Sequence, residues 1–211
     1  MKSVSSASVF FVLAMCSACA GSGGGDNTGA LAYVGIGEGK VFDYDIDIGL
    51  TQPQAGEVKV VGIDLEYADG LESYKVEMRQ NGNLIATRWY QVTAAGLFLL
   101  GEDVNEGASH VERRYLTPVK LLPYPLENEQ GFPVQSWSTQ TDVEQGGSEM
   151  HRFDNSGKES IQVPAGTFEV FHLVHTRTKD GTDTTALEEY FSPKNWYVQF
   201  EYPKDSTWQL K

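Results

Sequence analysis

Beyond position 19 the chain has no cysteine; Cys16 and Cys19 are its only two. A body of that kind forms no internal disulfide and offers no thiolate to a metal or a substrate. Cations are scarce too, with 16 Lys and Arg against 29 Asp and Glu and a net charge of −13. Such a surface repels phosphate backbones and anionic headgroups, which argues against nucleic acid as a partner. Long apolar runs are missing as well. Val9–Met15, "VFFVLAM", is far short of the roughly 20 residues that span a bilayer. No stretch keeps a helical period over several turns. The one candidate, "TALEEYF" at Thr185–Phe191, has strand-like neighbours.

What the first thirty residues do contain is a leader. Lys2, the apolar run and the small residues of "CSACAG" have the layout of a secretory signal peptide over residues 1–18. Ser17 and Ala18 before Cys19 resemble the lipobox of bacterial lipoproteins, whose cysteine becomes the acylated N-terminus. Cys16 is the weaker choice, because Met15 is too large next to a cut, and ordinary cleavage after Ala20 is the alternative without an anchor. On this reading residues 19–30 are an acylated Cys19 and a Gly-rich tether. The tether "AGSGGGDNTG" reaches on the order of 15–20 Å. The expected place is the cell envelope, at the outer membrane, with the membrane as partner through the anchor. Loss of Lys2 with the leader takes the net charge from −13 to −14.

Residues 31–211 are a size for one domain. "KVFDYDIDIGL", Lys40–Leu50, alternates Phe42, Tyr44, Ile46 and Ile48 with Asp43, Asp45 and Asp47. Further strands follow, with Val61, Ile63, Leu65 and Tyr67 expected on one core face, and Tyr74, Val76 and Met78 on the next. Trp196, Val198, Phe200 and Tyr202 are expected to share a side near the end. Asn81-Gly82 reads as a two-residue hairpin turn. Val163-Pro164-Ala165-Gly166 reads as another, with Pro164 presetting φ and Gly166 free to take a positive one. Roughly ten short strands with turn signals every 8–12 residues predict an all-β fold: antiparallel strands in a strongly curved sheet, half-barrel or sandwich. Pro118, Pro123 and Pro125 argue against a central strand there. Leu121, Leu122, Tyr124 and Leu126 are therefore expected in an extended segment laid over an open face of the sheet.

No chemistry-bearing pattern survives inspection. Asp43, Asp45 and Asp47 lie in line on one strand face and cannot wrap a calcium ion. His172 and His175 face opposite sides of a strand, so they share no metal. "GIGEGK", Gly35–Lys40, lacks the first glycine and the Ser or Thr of a phosphate loop. Adjacent Glu188 and Glu189 point apart. The expectation is a non-enzyme without metal or cofactor.

"VPAGTF" (Val163–Phe168) resembles a recurrent feature of the bacterial exported domain-of-unknown-function family numbered 3108. So do Leu122-Pro123-Tyr124-Pro125 ahead of Trp137, Gly96-Leu97-Phe98, and the pair Tyr190-Phe191. Ser192-Pro193-Lys194-Asn195 stands where that family has a glycine turn. The resemblance implies a curved antiparallel sheet like those of lipid and lipoprotein carriers, and no known reaction. The expected role is a non-catalytic envelope lipoprotein that binds an apolar ligand or another envelope protein, with Trp137, Leu122, Tyr124 and Phe168 around a groove. The alternative is a carbohydrate-binding module. An apolar concavity favours the first, and a row of exposed Trp and Tyr the second.

Overall fold

Alternating sequence becomes strand through nearly the whole body. The computed structural model describes residues 27–211 apart from positions 69, 107, 108, 129, 145, 204 and 205. The leader, Cys19 and nearly all of the tether lie outside the described residues. One short helix, α1 (Thr28–Val34), comes first and ends at Gly35 with φ +80°. Twelve strands follow: β1 (Val41–Asp47), β2 (Gln54–Asp64), β3 (Ser73–Gln80), β4 (Asn83–Thr93), β5 (Gly96–Glu106), β6 (Ser109–Pro123), β7 (Ser136–Asp142), β8 (Ser148–Val163), β9 (Gly166–Lys179), β10 (Asp183–Ser192), β11 (Trp196–Tyr202) and β12 (Ser206–Leu210). The fold is all-β, as expected. "TALEEYF" is part of β10.

Every strand pairs antiparallel with its neighbour in sequence except β6 with β7, and β1 also pairs with β12 through Tyr44↔Leu210 and Ile46↔Trp208. The result is a single twelve-stranded meander, nearly closed into a barrel, whose two free edges are β6 and β7. Those edges meet without a regular ladder. The main-chain N–H of Thr117 and of Lys120 donate to Thr141 Oγ1 and Thr139 Oγ1, each at 3.1 Å. Trp137 Nε1 donates to the Lys120 carbonyl at 3.0 Å. Glu144 N donates to the Arg114 carbonyl at 2.8 Å, beside the Tyr115↔Val143 bridge. The prolines explain this seam. Pro118 has no N–H to give, and it lies in an edge strand, where that costs least.

The expected cover segment is placed differently. Leu121, Leu122 and Pro123 finish β6, and Tyr124 to Leu126 turn off its end. No extended segment lies across the concave face there. The element that stops the barrel is α1, from a stretch partly read as tether. Its Ala30 and Val34 are buried, and its Tyr33 ring meets Tyr124 edge-on at 5.1 Å and Phe191 at 5.8 Å. Lys194 N donates to the Tyr33 carbonyl at 2.7 Å, which fastens the helix to the β10–β11 turn.

Inside and outside follow strand parity, interrupted by bulges. Tyr44, Ile46, Val58, Val60, Val76 and Met78 are buried. Outward positions on the same strands carry Asp43, Asp45, Glu57, Lys59, Lys75 and Glu77, so this wall faces water; a lipid-facing wall would be apolar. On β2 the inward positions are Val58 and Val60, not the expected Val61 and Ile63. Val61 is the extra residue between Val60↔Val76 and Gly62↔Lys75, and Val61 and Ile63 are 40% and 46% exposed. A second bulge, at Tyr190/Phe191, turns Val198 away from Phe200 and into a cluster on the outer face.

That outer cluster has its own cause. At Asn155/Gly157 the register shifts, and the tip of the β8–β9 hairpin folds over the outside of the sheet. Val163, Val170 and Phe168 pack there on Tyr190 and Val198, and Ala165 N donates to the Leu210 carbonyl at 3.0 Å. Gly166 at the tip holds φ +134°, as its turn requires. Asn81 and Gly82 both have positive φ, as a two-residue hairpin turn wants.

Candidate functional site

A barrel of about eight strands is just filled by its own side chains, and wider ones enclose space. Twelve strands leave a lumen here. Near α1 the interior is solid, with Leu97, Val119, Leu122, Leu126 and Phe191 fully or almost fully buried. Toward the other end, where the hairpins β9–β10 and β11–β12 turn, a cavity of about 530 Å³ remains. That lies within the range of small-molecule pockets, about 300–1,000 Å³. Val58, Met78, Leu99, Leu121 and Phe200 give it apolar wall.

Much of the rest of the wall is charged. Each inward position alternates with an outward one, so Arg88 stands between Ala86 and Tyr90 on β4, and Glu149 and His151 precede Phe153 on β8. On β9 the inward series is Phe171, Leu173, His175, Arg177. At the centre is Glu102 of β5, 4% exposed. Three guanidinium groups and a phenol converge on its carboxylate: Arg88 Nε at 3.1 Å, Arg113 Nη1 at 3.2 Å, Arg177 Nη1 at 3.4 Å and Tyr115 Oη at 3.4 Å. Burial pushes the Glu102 carboxyl up, but the three arginines outweigh it and hold it below the usual carboxylate range. Arg177 Nη2 also donates to Glu149 Oε1 at 2.6 Å. Burial raises the Glu149 carboxyl, and hydrogen bonds from His151 and Arg177 reverse this and bring it down to about 2.

From Glu149 a row of titratable groups crosses the lumen. His151 Nε2 lies 3.2 Å from Glu149 Oε2, and His151 Nδ1 lies 3.0 Å from His175 Nε2. His175 Nδ1 faces Glu189 Oε1 at 3.9 Å. One proton arrangement satisfies the row: His151 donates to Glu149 and accepts from His175, which leaves His175 Nδ1 as an acceptor toward Glu189. Burial, with His151, Arg88 and Arg177 nearby, keeps His175 neutral by lowering its pKa well below 6.5. Burial also drives Glu189 up to about 7, against the pull of Arg88. Near neutral pH, therefore, much of Glu189 is a carboxylic acid.

Three residues on the lumen wall keep buried polar atoms without a partner: Glu189 Oε2, Trp196 Nε1 and Tyr197 Oη. Buried donors and acceptors are rarely left so, and each such group calls for a partner such as a water or a ligand. Among the described residues no group of three or more His, Asp or Glu side chains is arranged to hold a metal ion.

The four residues singled out in the sequence lie elsewhere. Leu122 is 1% exposed in the solid interior. Tyr124 packs on Tyr33 of α1, and Trp137 stacks on Phe153 at 5.3 Å beside the seam. Phe168 belongs to the outer cluster. The structure groups the first three in one core, separates the fourth, and lines the lumen with none of them. His172 and Glu188 do point outward, 2.9 Å apart, while His175 and Glu189 point inward. The lumen residues carried a signal that sequence reading passed over: Arg88, Glu102, Arg113, His151, His175, Arg177 and Glu189 are polar residues at the parity of apolar neighbours. Comparison with protein-family models, with curated proteins and with solved structures finds no match.

Proposed function

We propose that this protein is a non-catalytic binding protein of the cell envelope, held at a membrane by an acylated Cys19, whose barrel lumen takes up a small amphiphilic molecule. The observation that carries the reading is the lumen itself: about 530 Å³ of space whose wall combines aliphatic and aromatic side chains with charged ones. A filled barrel would serve as a scaffold; an open one with unpartnered polar atoms is built to be occupied. Charged outward positions on β1 to β3 support a barrel that stands in water beside the membrane. The rival reading, a carbohydrate-binding module, wants a row of exposed aromatics. Trp89, Trp196 and Trp208 are buried, Trp137 is half-buried, and among the described residues Phe132 alone is an exposed aromatic.

Titration with the fluorescent dye 1-anilinonaphthalene-8-sulfonate tests the lumen. The expected result is saturable binding of one dye per chain, lost in Leu99→Trp, which fills the cavity while the folded circular dichroism spectrum is kept. Binding that is unsaturable or unaffected by Leu99→Trp would place the dye on the outer surface and refute the reading. For the anchor, mass spectrometry of the mature chain should find acyl mass on Cys19; an unmodified N-terminus would remove the membrane from the account.

A further inference from the structure

Consecutive residues of a strand point to opposite faces of a sheet. Trp196 and Tyr197 open β11, yet they are 2% and 3% exposed and both line the lumen. Two irregularities accompany this. Trp196 holds φ +68°, a left-handed backbone that a bulky side chain rarely takes. The register of β10 against β11 also shifts at Tyr190/Phe191. The Trp196 and Tyr197 rings meet edge to face, 5.0 Å apart at 84°, and Tyr90 of β4 meets the Trp196 ring at 5.6 Å. Unfavourable backbone of this kind persists only where its surroundings hold it, and it gathers at sites that clamp a ligand.

The polar atoms so placed have no partner in the protein. Trp196 Nε1–H can only donate, and Tyr197 Oη can both donate and accept. Glu189 of β10, 5% exposed, lines the same space with Oε2 unpartnered. Burial and then the Glu189 carboxyl raise the Tyr197 phenol above its ordinary pKa, which puts the two groups near one another. One group answers all three atoms: a hydroxyl, which accepts two hydrogen bonds and donates one. It accepts from Trp196 Nε1 and Tyr197 Oη and donates to Glu189 Oε2. With Glu189 protonated, the acid donates to it and Tyr197 Oη accepts from it, so the match holds in either state of Glu189. An ether oxygen only accepts and an ammonium only donates, so each leaves an atom unmet. The aliphatic wall of Val58, Met78, Leu99 and Leu121 calls for an apolar body behind the hydroxyl.

We propose that the lumen binds a lipid alcohol, with its hydroxyl among Glu189, Trp196 and Tyr197 and its hydrocarbon chain along Val58, Met78, Leu99 and Leu121. This deepens the amphiphile reading and rests on it. The site leaves a mark on the empty protein as well. A buried hydroxyl without a partner costs stability, and replacing it by an apolar group of the same shape is neutral or stabilising. The Tyr197 hydroxyl therefore burdens the empty barrel and serves the filled one, a pattern that a purely structural tyrosine does not show.

The experiment is displacement of 1-anilinonaphthalene-8-sulfonate from the protein by decan-1-ol and by 1-methoxynonane, an ether of equal length that accepts a hydrogen bond but donates none. Decan-1-ol should bind about tenfold more tightly than the ether. In Tyr197→Phe the decan-1-ol affinity should fall about fivefold or more, while the empty variant melts no lower than the unaltered protein. Equal affinities for alcohol and ether would overturn the hydroxyl inference and leave the amphiphile reading standing. Dye that binds saturably and is displaced by neither would overturn both. A Tyr197→Phe variant that binds decan-1-ol as tightly as before, or that melts well below the unaltered protein, would overturn the placement of the hydroxyl at Tyr197. The comparison of alcohol with ether is made on the unaltered chain, so it decides the inference whether or not the variant folds.

Discussion

The two ends of this barrel are walled by the same twelve strands and filled in opposite ways. At the α1 end, Leu97, Leu122, Leu126 and Phe191 close the interior, with Ala30 and Val34 of the helix set into it. At the other end no helix enters among the described residues, and charged side chains line a cavity. Strand number fixes the width of both ends, so width does not decide what fills them. The inward residues do. Where they are apolar, water is excluded and a plug is bound by hydrophobic burial. Where they are Arg, Glu and His, each must be satisfied by another or by a ligand. One end stabilises the fold, and the other spends part of that stability on a charged void.

Breaking the charged end should have the largest effect. Glu102→Gln removes the carboxylate that three arginines share; Arg177 keeps its bond to Glu149, but the buried cluster gains a net positive charge. The expected loss is about 3–5 kcal/mol, read by urea unfolding. A loss below about 1 kcal/mol would mean that water already screens the cluster.

Leucine truncation compares the ends directly. Leu126, 0% exposed at the plugged end, should cost about 3 kcal/mol on Leu126→Ala. Leu99 borders the cavity and already lacks neighbours on one side, so Leu99→Ala should cost about half as much. Equal losses would show that the lumen is filled in solution.

The pH dependence of stability sharpens the same contrast. Glu189 is raised from 4.5 to about 7, so its contribution is fully present below about 4.5 and is lost as pH rises through about 7. The loss is up to about 3 kcal/mol, and Glu189→Gln should abolish it. Glu149, lowered to about 2, works the other way: its contribution is present above about 4.5 and is lost as pH falls toward about 2. Stability in the absence of ligand should peak on the acid side of neutrality. A flat curve from pH 5 to 8 would contradict the assignment of Glu189.

The smallest effect is expected at the seam. Thr139→Val and Thr141→Val each remove one acceptor from a β6 N–H and should cost about 1 kcal/mol. Faster hydrogen exchange confined to Thr117 and Lys120 would accompany it, and no change there would mean that water bridges the edges equally well.

Much of the wall was legible in the sequence. Alternation in Lys40–Leu50, the Asn81-Gly82 turn and the Pro164–Gly166 turn all act locally, and local signals survive folding. What was not legible came from three causes. Bulges at Val61 and Val198 shift parity by one residue, and nothing in "VKVVGID" or "NWYVQF" marks the shift beforehand. The helix plug is only seven residues long, too short for a helical period to show. The lumen itself exists only when nine strands, β2 to β6 and β8 to β11, are brought around it. Glu102 reads as one more acid in an acidic chain until Arg88, Arg113 and Arg177 are brought around it. The prolines near Leu122 were read correctly as unfit for a central strand, but an edge strand at a seam satisfies the same rule.

The central claim is that the charged end is hollow in order to be occupied. A crystal structure of the protein grown with decanoate tests it most directly. The account predicts one decanoate per chain inside the barrel, its chain against Leu99 and Met78. A lumen closed by its own side chains, or decanoate bound only on the outer face, would contradict it.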